Sequence, residues 1–147
     1  MAIAAKLDKL ESRIYCLCGD GELQEGQIWE AAMTGSHYNL DNVCVIVDNN
    51  NLQIDGEVDT VMNIYPIEQK FKSFGFETIN IDGHNMEEII NSFETAKKVK
   101  GKPTAIIAKT IKGKGVSFME NISKWHGVAP NEEEYTKAME VLKHGHN

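Results

Sequence analysis

Apolar runs and polar loops alternate along this chain, and the period of each run predicts its element. RIYCLC (13–18) reads as a strand, and the GDGELQEGQIWEAAMTGSHY that comes next carries Ile28, Ala31, Ala32 and Gly35 at helical spacing. VCVIVD (43–48) is an almost unbroken apolar run, the pattern of a strand covered on both faces. After the polar loop NNNLQIDGEVDT, a short helix is predicted around PIEQKFKSFG, with Pro66 placed to start it and Gly75 to stop it. FETINID (76–82) and PTAIIAKT (103–110) are two more strands, separated by a helix over MEEIINSFETAKKVK that ends at Gly101. A terminal helix, PNEEEYTKAMEVLKHG, has Asn131 as its candidate N-cap. Strands alternating with helices in this order predict an α/β fold with a mainly parallel sheet and helices on both faces. The opening MAIAAKLDKLE is helical in pattern, with no strand before it to close a first β-α-β unit. The chain is therefore expected to be a single partial domain over residues 1–147, incomplete at its N-terminus.

Composition narrows what this fold could do. With 147 residues, 41% of them hydrophobic, the chain can bury one core. A net charge of −7 without basic runs argues against nucleic acid or an anionic membrane as the partner. No stretch approaches the roughly 18 apolar residues of a membrane span and the start has no signal-peptide core, so the expected location is cytoplasmic. Cys16, Cys18 and Cys44 all fall in predicted strands and read as buried, reduced thiols. Cys16 and Cys18 share one strand face, which is not the spacing of a zinc site.

Ligands of parallel α/β sheets collect at the carboxyl ends of the strands, and the chemistry-bearing residues crowd there. Gly19-Asp20-Gly21 follows the first strand, Asp48-Asn49-Asn50-Asn51 the second, Asp82-Gly83-His84-Asn85 the third, and Lys109 to Trp125 the fourth. Glycines let backbone approach a bulky anion, while Asp20 places a carboxylate at the same point. A carboxylate beside a phosphate requires a cation between them, and Mg2+ is the natural one, bound by few protein oxygens with phosphate and water. Asn50, 30 positions after Asp20 and so one helix and one strand away, offers an amide oxygen, and a carbonyl just beyond it could complete the set.

GDG followed thirty residues later by DNN resembles the thiamine diphosphate-binding motif. The words GDGELQEGQIWEAAM, VDNNNLQIDG, DGHN, AKTIKGKGVSFME and WHGVAP resemble transketolase, in particular the amino-terminal subunit of split transketolases, from about residue 2 to 142. That resemblance implies thiamine diphosphate and Mg2+ as cofactors, with Asp20, Asn50 and the Leu52 carbonyl on the metal. It implies Gly19 and Gly21 at the diphosphate, Ile54 and Ile111 near the cofactor rings, His126 on diphosphate and substrate, and Glu25 at a subunit interface that couples active sites. Ile54 and Ile111 could instead be plain core, Glu25 a solvated first-turn residue and His126 an ordinary loop histidine. His84 reads as part of a helix N-cap region with Asn85 rather than as a catalytic group.

The activity implied is transfer of a two-carbon ketol unit between sugar phosphates. The glutamate that activates the cofactor's aminopyrimidine belongs, in the family, to another domain, so a partner is implied: a C-terminal subunit carrying the pyrimidine-binding domain, in a hetero-oligomer built on a dimer. The histidine-bearing stretch that precedes the matching region in the family is absent from this sequence. Other readings are a deoxyxylulose phosphate synthase-like enzyme, the α subunit of a 2-oxo acid dehydrogenase, or a remnant that keeps the fold without activity. An unpaired sheet edge would make the isolated chain prone to aggregation.

Overall fold

The computed structural model describes residues 1–144. Its strands are β1 (Ile14–Gly19), β2 (Val43–Asn49), β3 (Leu52–Gln53), β4 (Gly56–Glu57), β5 (Glu77–Asp82) and β6 (Thr104–Lys109). The helices are α1 (Ala2–Leu7), α2 (Gly26–His37), α3 (Val58–Val61), α4 (Ile67–Ser73), α5 (Met86–Lys98) and α6 (Glu132–His144). Four strands form one parallel sheet in the order β1-β2-β6-β5, and β3 and β4 make a small antiparallel hairpin. The apolar runs at 43–48 and 103–110 are the two central strands, which is why they alternate so little: both of their faces are covered.

Register sorts the side chains onto two faces. Cys18, Val45, Val47, Ala105 and Ile107 pack with Ala32 of α2, Ile67 and Phe71 of α4, and Phe76. Cys44, Ile46, Ile79, Ile81 and Ile106 face the other way, onto Phe93 and Ala96 of α5. Helices therefore cover both faces, as the pattern predicts. Phe71 is the centre of the larger cluster, 1% exposed, with the rings of Trp29 and Phe76 each 5.3 Å away. The turn chemistry also agrees with expectation. Pro66 is the residue before α4, Gly75 turns the chain after it at φ +85°, and Asn131 caps α6 through a reciprocal pair of bonds with Glu134.

Four expectations need correction. Cys16 is exposed, because β1 is an edge strand and a cavity of about 480 Å3 between α1, α2 and the sheet stays open beside it. Ala31 is likewise exposed, with only Ala32 and Gly35 of the α2 stripe fully buried. Helix α1 stops at Leu7 because Lys9 adopts a left-handed conformation, φ +55°. Helix α5 stops at Lys98, where the β-branched Val99 is extended; Gly101, at φ +73°, makes the turn and donates its N–H to Asp41. The other two cysteines are buried, and burial pushes the thiols of Cys18 and Cys44 up to about 12 and about 11, so both stay protonated at neutral pH.

On the α5 side of β1 the sheet is incompletely covered. Tyr15 meets the Phe93 ring edge-on at 5.5 Å, but Leu17 is 71% exposed. This contrast gives a test of where stability resides. Phe71→Ala should cost about 3–5 kcal/mol, while Leu17→Ser should stay within about 0.5 kcal/mol, both measured by urea unfolding.

Candidate functional site

Parallel pairing of β1 with β2 brings their ends side by side. Gly19 is in register with Asp48, and the Asp20 N–H donates to the Asp48 carbonyl at 3.1 Å, carrying the ladder one residue past the strand. Asp20 then caps a short 3-10 helix, Gly21–Gln24, anchored by Leu23 in the core. This helix and the extended Glu25 interrupt the helical pattern before α2 begins at Gly26. The Asp20 side chain is 1% exposed. Its Oδ1 accepts the Gly21 N–H at 2.9 Å and its Oδ2 accepts the Asn51 N–H, so one carboxylate joins both loops.

Each asparagine of the second loop has its own task. Asn49 Oδ1 accepts the Tyr65 hydroxyl at 2.7 Å, and Asn50 Oδ1 accepts the Leu52 N–H at 2.9 Å. Asn51 takes a left-handed conformation, φ +59°, which asparagine tolerates well, and thereby turns its N–H toward Asp20. The β3–β4 hairpin comes next, with Ile54 at its tip, 73% exposed and so no part of the core.

The third loop leaves β6 beside these two. The Thr110 N–H donates to the Asn49 carbonyl at 3.2 Å, and the Thr110 hydroxyl donates to Asp48. Gly113 at φ +72° turns the loop back against Met119, and a second 3-10 helix, Ser123–His126, delivers His126.

These loops enclose a cleft of about 780 Å3. Gly19, Asp20, Gly21, Glu25, Asn50, Leu52, Ile54 and His126 all line it. Ile111 does not: it is half-buried and lines a neighbouring cavity of about 650 Å3 with Asp82, His84 and Lys109. Glu25 is exposed at the N-terminus of α2 and caps nothing with its side chain. Asn85, by contrast, caps α5, accepting the N–H groups of Glu87 and Glu88. Two contributors escape a reading of the sequence. Lys112 lines the cleft and is its one ammonium among the described residues; the two lysines of TIKGKG are the available signal. Tyr65, which pins Asn49, sits in a loop with no motif to reveal it.

The electrostatics centre on Asp20. Burial raises its pKa above the ordinary carboxylate value; the Asn51 and Gly21 N–H groups pull the other way, and Asp48 adds to the rise. A raised pKa means that ionising Asp20 costs folding stability. That cost is absent below the unfolded value of about 3.9 and grows as pH rises from there through the raised folded value. None of the ion pairs among the described residues includes Asp20. No cluster of three or more His, Cys, Asp or Glu side chains suited to a metal occurs among them either. The side-chain donors that line the cleft are mostly carboxylate and amide oxygens, the buried Asp20 and the neighbouring loop's Asn50 among them, a hard oxygen set.

Residues 4–147 match the family profile described as transketolase, thiamine diphosphate binding domain. The chain belongs to this transketolase family. It is 45% identical over 139 residues to one subunit of the apulose-4-phosphate transketolase of Phocaeicola vulgatus, covering 95% of this chain and 50% of that protein. A 6-deoxy-6-sulfo-D-fructose transketolase subunit from a Clostridium species is 43% identical over 143 residues, 97% of this chain and 52% of its own length. The chain thus spans about half the length of these curated relatives. Among solved structures, the transketolase of Campylobacter jejuni superposes with a TM-score of 0.86 at 42% identity, over 95% of this chain and 22% of that one. A Pichia stipitis transketolase, 27% identical, superposes with a TM-score of 0.81 over 88% of this chain and 19% of its own.

In this transketolase domain the third loop holds its shape through Gly113. A Cβ there would lie 2.6 Å from the Met119 carbonyl oxygen, at a φ that side chains rarely adopt, whereas a Cβ on Gly127 would meet nothing within 4 Å. Gly113→Ala should therefore lower stability by more than about 1 kcal/mol while Gly127→Ala leaves it nearly unchanged, as read by thermal unfolding.

Proposed function

We propose that this chain is the diphosphate-binding, amino-terminal part of a transketolase-type transferase, acting as one unit over residues 1–147. The observation that carries this reading is the buried Asp20 carboxylate, without a cation partner among the described residues, bonded to a loop whose next side-chain oxygen is Asn50. Burial makes ionising such a group costly, and a divalent cation would offset that cost. Asp20, Asn50 and the Leu52 carbonyl would hold Mg2+, which takes few protein oxygens and completes its shell with phosphate and water.

Gly21 leaves the room a diphosphate needs, since a Cβ there would already stand 3.1 Å from the Cβ of Gln53. Lys112 supplies the positive charge at the same cleft. Ile54 on the hairpin tip and Ile111 on the third loop would bound the cofactor rings. His126, exposed at the cleft, is suited to holding substrate oxygens and moving a proton at them. Thiamine diphosphate, when bound, supplies the carbanion-stabilising chemistry that transfer of a two-carbon unit between sugar phosphates requires. Glu25, exposed and uncommitted, faces outward where a second subunit could meet it. The partner proposed is a C-terminal transketolase subunit carrying the pyrimidine-binding domain, in a hetero-oligomer built on a dimer. The setting proposed is cytoplasmic; no described helix is long and apolar enough to cross a membrane.

Titration calorimetry of the chain should detect thiamine diphosphate only when Mg2+ is present, and Asp20→Asn should abolish the heat. Mg2+ should raise the melting temperature of the wild type and leave that variant unmoved. Ketol transfer should appear when the chain is mixed with the C-terminal subunit of a split transketolase and should vanish with Asp20→Ala. Cofactor binding with no transfer in that mixture would favour a remnant that keeps the fold alone.

A further inference from the structure

The cavity of about 650 Å3 beside the cofactor cleft holds a contact that the proposed function leaves unused. His84, just past the end of β5, turns its Nε2 toward the third loop and accepts the Ile111 N–H at 2.8 Å across 27 residues of sequence. The turn that carries the imidazole is braced: the His84 main-chain N–H donates to Asp82 Oδ1 at 2.9 Å, the Asp82 main-chain N–H donates to Glu88 Oε2 at 2.8 Å, and Asn85 caps α5. One residue earlier, the Gly83 N–H donates to the Lys109 carbonyl at 2.8 Å, and a Cβ on Gly83 would come within 2.4 Å of the Thr110 methyl. The turn between β5 and α5 thus grips the start of the third loop twice, once by main chain and once by an imidazole.

Immediately after Ile111 comes Lys112, the ammonium of the cofactor cleft. Fixing the Ile111 N–H therefore sets the direction from which Lys112 enters that cleft. An Nε2 that accepts a hydrogen bond belongs to a neutral imidazole with its proton on Nδ1; the imidazolium has no lone pair to offer. We propose that His84 is a positioning residue whose neutral imidazole holds the Ile111–Lys112 loop against the start of α5, so that protonating it frees the loop and weakens cofactor binding next door. The second half of this rests on the cleft being the diphosphate site. The charged groups facing His84 are Asp82 from β5, Glu88 from α5, Lys109 from β6 and Lys114 from the loop, two of each sign.

The decisive experiment monitors the Ile111 amide and the His84 imidazole by NMR in the isotopically labelled chain, over about pH 5.5 to 8. In the wild type the amide resonance should move with the His84 titration. In His84→Gln, whose side-chain oxygen is an acceptor that does not titrate, it should stay still. Calorimetry with thiamine diphosphate and Mg2+ near pH 7.5 should find His84→Leu about fivefold weaker than wild type and His84→Gln within about twofold of it. An Ile111 amide indifferent to His84 protonation overturns the proposal, as does a His84→Leu variant that binds as tightly as wild type. Should the leucine variant not fold, the wild-type titration decides alone. A wild-type chain that binds no cofactor overturns the functional reading and the binding half of this inference, while the amide titration still decides whether the tie exists.

Discussion

Asp20 accepts an N–H from each of two loops, Gly21 in its own and Asn51 in the other, 31 positions away. The remaining architecture of the carboxyl edge hangs on that pair of bonds. Hydrogen bonds to an ionised carboxylate are among the stronger ones in proteins, yet burying the charge works against them, and burial is the dominant influence on Asp20. The result is a rigid carboxylate, geometrically satisfied and electrostatically costly. The divalent cation proposed for this site would offset that cost, in a cleft where, among the described residues, Lys112 is the one ammonium beside several lining carboxylates.

That arrangement is possible because the sheet is parallel. Parallel register delivers Gly19 and Asp48 together, and Asn49 and Lys109 together, so three strand ends place three loops on one rim. Central strands buried on both faces supply the rigidity the rim needs, with Phe71 and its aromatic neighbours on one side and α5 on the other. The same sheet is less finished at β1, where Leu17 and Cys16 stay exposed. Apolar surface of that kind favours association of the isolated chain.

The loops stabilise one another through contacts that span the chain. Tyr65 holds Asn49, Thr110 holds Asp48, and His84 holds Ile111. Each joins residues well separated in sequence, and each leaves a cleft-lining neighbour more tightly placed. The site is thus a set of short loops cross-tied at their bases, with the exposed tips, Ile54 and Glu25, left to face whatever docks over them.

Much of this is legible in the residues alone, for identifiable reasons. Apolar runs without alternation identify the central strands, Pro66, Gly75, Asn85 and Asn131 mark helix boundaries by their backbone chemistry, and Gly-Asp-Gly with Asn-Asn thirty residues on points to a two-loop site. These are local signals, set by the conformational limits of single residues and by the period of burial. Tertiary structure alone decided the rest. It exposed Cys16 and Ala31 because coverage of an edge strand depends on neighbours that the strand's own pattern does not encode. It broke the first long helical pattern at Glu25, where the chain must turn to keep Asp20 on the rim. It moved Ile111 out of the Asp20 cleft, brought Lys112 in, and joined His84 to Ile111, because which loops touch is set by strand order, β1-β2-β6-β5, and that order differs from the order of the sequence.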